Sequence, residues 1–89
     1  LDAFTREELW GVLQKLWMEK RFTCILITHD LREAIYLSQK IYVMSSRPGK
    51  IVTEKNVEFD FPRGLSDTYK PEFVSLVEEL RNHISLERQ

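Results

Sequence analysis

The run Phe22-Thr23-Cys24-Ile25-Leu26-Ile27-Thr28 constrains the fold more than any other feature of the sequence. It is apolar, rich in β-branched residues, and does not alternate with polar ones. Such a run suits a strand covered on both faces, as in the parallel sheet of an α/β protein. It is also far too short to cross a bilayer. With 89 residues, the chain is one small domain or a piece of a larger one. Its core is therefore modest, and a strand that needs cover on both faces dominates the topology.

The segments around this run have local signatures of their own. Residues 5–20 read as a helix, with Thr5-Arg6-Glu7-Glu8 as a capping box and Phe4 and Leu9 at the staple positions. Leu9, Leu13, Leu16 and Trp17 form its apolar stripe, with Trp10 beside it. Gly11 costs that helix about 1 kcal/mol relative to alanine. Asp30-Leu31-Arg32-Glu33 is a second capping box, opening a helix over 31–39 whose inner face holds Leu31, Ala34, Ile35 and Ser38. Strands are expected at 41–45 and 50–54, joined by a type II turn at Arg47-Pro48-Gly49-Lys50. Val57, Phe59 and Phe61 alternate with polar residues until Pro62-Arg63-Gly64 breaks the pattern, so 56–67 reads as the nearest thing to a linker. A last helix is expected over 68–87. Phe73, Val77, Leu80 and Ile84 lie on one face, Leu76 flanks them, and Pro71 sits near the start. The unit from 23 to 44 is expected to form a right-handed parallel crossover.

Composition narrows the functional classes. Hydrophobic residues make up 43% and charged residues 30%, which favours a folded segment over disorder. A net charge of −1 with mixed signs gives no support for broad electrostatic binding to nucleic acid or anionic lipid. A single cysteine, Cys24, excludes an internal disulfide framework and fits a reducing, cytoplasmic setting. The chain opens on Leu1-Asp2-Ala3 with no initiator methionine, and is expected to be part of something longer.

Thr28-His29-Asp30 falls where the apolar run meets the next helix. Ligands of open α/β sheets bind outside the carboxyl ends of strands. There an imidazole is poised to hydrogen-bond an anion or orient a water, near the partial positive end of a helix. The plainer alternative is a histidine that satisfies a local carbonyl. Other candidates read as structural. Cys24 is a small buried hydrophobe. His83 is a solvated surface residue without a partner at metal spacing. Trp10 and Trp17 pack in a core. Glu7-Glu8 and Glu78-Glu79 are helix-face acids, and Arg47 is an exposed hairpin tip. No metal site is expected.

Residues 24–44, CILITHDLREAIYLSQKIYVM, resemble the H-loop region of ABC transporter ATP-binding subunits. The Arg47-Pro48-Gly49 hairpin looks like the nitrate, sulfonate and taurine importer branch, and Leu1-Asp2-Ala3 resembles the end of that family's D-loop. The resemblance implies an α/β fold: a partial P-loop NTPase (RecA-like) core with a parallel βαβ unit, a β-hairpin and a C-terminal helix. It divides the chain into 1–55, the C-terminal portion of the ATPase core, and 56–89, a linker and amphipathic helix. It implies that His29 is the switch histidine contacting the γ-phosphate of ATP. It also implies that Asp2, with Leu1, lies at the interface with a second ATP-binding subunit. The implied cofactors of the intact protein are ATP and Mg²⁺. Its implied partners are that second subunit and membrane-spanning permease subunits at the inner face of the cell membrane.

The phosphate-binding loop, the signature Leu-Ser-Gly-Gly-Gln, the Q-loop glutamine and the Walker B acids are not in this sequence. The chain alone is therefore expected neither to bind ATP usefully nor to hydrolyse it. It is expected to self-associate through the unpaired edge of 23–28. Two alternatives stand beside this reading. One is a non-enzymatic dimerisation or regulatory α/β module. The other is a small α/β protein that uses His29 in chemistry of its own.

Overall fold

A computed structural model describes residues 2–45 and 49–87, and their side chains except those of residues 3 and 85–87. Helix α1 spans Ala3–Lys20, α2 Leu31–Leu37 and α3 Pro71–Glu87. Strands β1 (Lys40–Met44) and β2 (Ile51–Asn56) form a two-stranded antiparallel sheet, and a 3₁₀ turn spans Leu65–Tyr69.

Helix α1 begins earlier than its sequence suggests, because Asp2 and not Thr5 is the cap. The Asp2 carboxylate accepts from the Thr5 N–H at 2.8 Å. The buried face of α1 also differs from the leucine stripe. Leu9, Leu13 and Leu16 are exposed, while Trp10 is 2% exposed and Gln14 is buried beside it. Trp10 stacks against Tyr36 of α2 at 5.3 Å between ring centres, and Trp17 meets Phe61 at 5.0 Å. Trp10 is buried as expected, while Trp17 is only half-buried against Phe61. The helix stops at Arg21, whose φ of 51° is left-handed and whose N–H reaches the Trp17 carbonyl at 2.7 Å.

The strand expected at 23–28 does not form among the described residues, and with it no parallel pair or crossover. The segment is irregular and open to solvent, with Ile25 86% and Ile27 93% exposed. Cys24, expected in a core, is exposed too. A strand is held by a neighbour's N–H and C=O groups. Among the described residues, 22–28 have no such neighbour, and apolarity alone supplies none.

The expected hairpin forms, with Lys40–Met44 paired to Ile51–Asn56. Ile41 pairs with Lys55 and Val43 with Thr53, with an irregularity between Val43 and Met44. Arg47 and Pro48 of the expected turn, with Ser46 before them, lie outside the described residues, while Gly49 has the φ of +85° that suits glycine. Burial alternates along β1, placing Ile41 and Val43 inward. They meet Ile35 of α2, Val57, and Phe73, Leu76 and Leu80 of α3 in one apolar cluster. Val77 and Ile84 pack at its margin. Pro71 is the first residue of α3, where a missing N–H leaves nothing unsatisfied. The core therefore draws on residues from both sides of position 56.

Candidate functional site

His29 lies at a bend immediately before the α2 cap, exposed to solvent. Both of its neighbours are pinned. Thr28 Oγ1 accepts from the Asp30 N–H at 3.0 Å. The Asp30 carboxylate accepts from the N–H groups of Arg32 and Glu33 at 3.0 and 3.2 Å. A cap of this kind is worth about 1 kcal/mol. It also means that two of the free amides at the start of α2, expected to favour an anion near His29, already have an acceptor. The other half of the expected capping box is replaced. Thr28 takes the Asp30 N–H, and Glu33 accepts instead from Trp10 Nε1 at 2.9 Å.

Two ion pairs tie the start of α2 to α1. Arg6 meets Asp30 at 3.2 Å and Arg32 meets Glu7 at 3.2 Å. The Arg32 guanidinium also lies 5.6 Å from the Trp10 ring centre. These pairs are partly exposed, so each contributes little stability, and their effect is to register one helix on the other. The Asp2 backbone carbonyl accepts from the Arg6 N–H at 3.0 Å. The Arg6–Asp30 pair thus joins the first turn of α1, begun by Asp2, to the residue that follows His29. The Thr5 N–H holds the Asp2 carboxyl below the usual carboxylate range. Leu1 lies outside the described residues.

The far end of α2 is held by a residue that reads as part of a linker. Arg63 is 2% exposed. Its Nη1 donates to the carbonyls of Ile35, Tyr36 and Ser38 at 2.6, 3.2 and 2.6 Å. Its Nε and Nη2 donate to the Phe59 carbonyl at 3.1 and 2.8 Å. The Arg63 main chain is clamped in turn. Its N–H donates to Gln14 Oε1 at 2.7 Å, and its carbonyl accepts from Gln14 Nε2 at 2.9 Å and the Tyr36 hydroxyl at 2.6 Å. Burial pushes the guanidinium down to about 10, with Asp60 and Asp67 acting the other way, so it stays cationic at neutral pH. A cation at a helix C-terminus meets the unpaired carbonyls and the negative end of the dipole together. An arginine between proline and glycine reads as a solvated turn residue. The unmet carbonyls at the end of α2 are the one signal that points to it.

Among the described residues, no group of three or more His, Cys, Asp or Glu side chains is placed to hold a metal ion. The residues present therefore do not fit Mg²⁺ on their own. No helix among them is long and apolar enough to cross a membrane.

The chain is 46% identical over 63 residues to the aliphatic sulfonates import ATP-binding protein SsuB of Bacillus licheniformis, covering 71% of this chain and 25% of that protein. It is 43% identical over 84 residues to the taurine import ATP-binding protein TauB of Pelagibacter ubique, covering 90% and 32%. Against TauB of Chromobacterium violaceum it is 36% identical over 94 residues, covering 100% of this chain and 36% of that protein. The chain is homologous over most of its length to ATP-binding subunits of sulfonate and taurine ABC importers. It spans about a quarter to a third of the length of these family members. No family model matches it. The match to the Chromobacterium protein runs the whole chain.

Proposed function

We propose that this chain is the C-terminal segment of the ATP-hydrolysing subunit of an importer for nitrate-, sulfonate- or taurine-like solutes, with His29 as its switch histidine. The observation that supports this reading is the identity to sulfonate and taurine import ATP-binding proteins across a stretch containing an exposed imidazole between two pinned neighbours. The imidazole donates to the terminal phosphate of ATP and helps hold the attacking water. A bond forms from the water oxygen to the γ-phosphorus as the bond to the bridging oxygen breaks. Such transfer is catalysed by positioning and charge stabilisation, which suits a rigidly flanked side chain. The phosphate cradle and the ligands of Mg²⁺ come from other parts of the intact subunit.

Asp2 and Leu1 face a second ATP-binding subunit, and the pair docks on membrane-spanning permease subunits at the cytoplasmic face of the membrane. In the intact subunit, residues 23–28 join a RecA-like sheet as a parallel strand. Residues 1–55 carry the nucleotide-facing edge, and 56–89 brace it.

His29→Ala in the intact subunit is expected to lower ATP hydrolysis on the order of 100-fold while nucleotide still binds. Turnover at the unsubstituted rate overturns the assignment. The 89-residue chain alone is expected not to bind Mg-ATP at micromolar concentration, which isothermal titration checks. A second reading, a dimerisation module, draws on the exposure of Ile25 and Ile27. Light scattering tests self-association, which both readings expect of the 89-residue chain, and a monomeric mass at high concentration excludes it through that edge.

A further inference from the structure

We propose that Arg63 is a positioning residue for His29. Its guanidinium fixes the far end of α2, and with it the bend that carries the imidazole. The kinetic part of this inference rests on the role of His29 proposed above, and the structural part does not.

Helix α2 has 7 residues, so it is a rod about 10 Å long. A shift at one end of so short a rod is carried to the other. Its start is held to α1 by partly exposed ion pairs, which resist displacement weakly, and by the Trp10–Glu33 hydrogen bond. Its end is held by a buried cation that takes the Ile35, Tyr36 and Ser38 carbonyls at once. That cation is not free to follow α2. The Arg63 main chain is bonded to Gln14 of α1, and its Nε and Nη2 are anchored on Phe59. The guanidinium also lies 3.9 Å from the Phe61 ring centre. Residues 59–63 thus lock α2 along α1, and the more buried anchor is the one remote from His29. A guanidinium does this and an ammonium does not, because only a planar fork reaches both the α2 carbonyls and Phe59. The backbone bonds to Gln14 survive substitution, so side-chain variants isolate the fork.

The test uses the intact subunit with Arg63→Met and Arg63→Lys, and Val77→Ala as a core control away from the clamp. Two quantities are read: kcat and KM for Mg-ATP, and amide exchange in α2 compared with the β1–β2 hairpin. Arg63→Met is expected to speed exchange in α2 selectively. It is also expected to lower kcat by about 10-fold or more with KM changed less than about twofold, as small misplacements of a catalytic group do. Arg63→Lys recovers part of kcat. Val77→Ala leaves kcat near the unsubstituted value. If Arg63→Met does not fold, Arg63→Lys carries the comparison, with a smaller selective change expected. Equal acceleration in α2 and the hairpin overturns the proposal, as does faster α2 exchange at unchanged kcat. If His29→Ala leaves hydrolysis intact, the His29 role fails, and the exchange comparison still decides whether Arg63 holds α2.

Discussion

Residues 22–28 and residues 57–63 have exchanged the roles their compositions suggest. The first segment is nearly all apolar and lies open to solvent. The second alternates apolar with charged residues, yet Val57 and Arg63 are buried, Phe59 stacks on Phe73 and Phe61 meets Trp17. What separates them is the supply of partners. Residues 57–63 find three helices and the end of β1, where the Val57 N–H reaches the Gln39 carbonyl at 2.9 Å. Residues 22–28 find no strand to pair with among the described residues. Apolar character states that burial is favourable, while geometry decides whether it occurs.

The sharpest way to break this comparison is to cut one large side chain from each side of it. Phe73→Ala, beneath Phe59, is expected to cost about 3–5 kcal/mol in urea denaturation. Ile27→Ala is expected to stay within about 0.5 kcal/mol. Similar losses at the two positions would mean that 22–28 is packed in solution. Arg63→Met leaves several buried carbonyls without a donor, and is expected to cost about 2–3 kcal/mol by the same measurement. A neutral result would return 57–63 to the status of a linker.

Two smaller effects sharpen the picture. An added Cβ at Gly11 meets no atom within 4 Å. Gly11→Ala is therefore expected to stabilise α1 by about 1 kcal/mol, seen as a raised midpoint in urea. The smallest effect concerns acid. Lys70 and the Gly64 N–H hold the Asp67 carboxyl below its ordinary value. A carboxylate whose folded pKa is depressed contributes stability above its unfolded pKa. That contribution is lost as pH falls through the folded value. Asp67→Asn is expected to remove that small contribution at neutral pH and leave the stability near pH 2 little changed, so the acid limb flattens, which denaturation at pH 2–7 checks.

Short-range features were largely legible. Asp30 caps α2, Pro71 opens α3, and the hairpin forms around Gly49. Each depends on groups within a few residues of one another, so the local chemistry carries the information. The candidate site was legible to the same extent. His29 stands exposed ahead of a capped helix because Thr28 and Asp30 make their bonds to immediate neighbours. Its second support was hidden, because Trp10–Glu33 and Gln14–Arg63 join residues far apart in the chain.

The sequence by itself therefore determined the helices, the Asp30 cap of α2, the hairpin and the chemistry available at position 29. Tertiary structure alone decided that an arginine between proline and glycine closes α2, and that the most apolar run stays uncovered. The reason is one of range. A cap or a turn closes its own hydrogen bonds, whereas a strand edge or a buried cation must wait for a distant segment to bring the matching group.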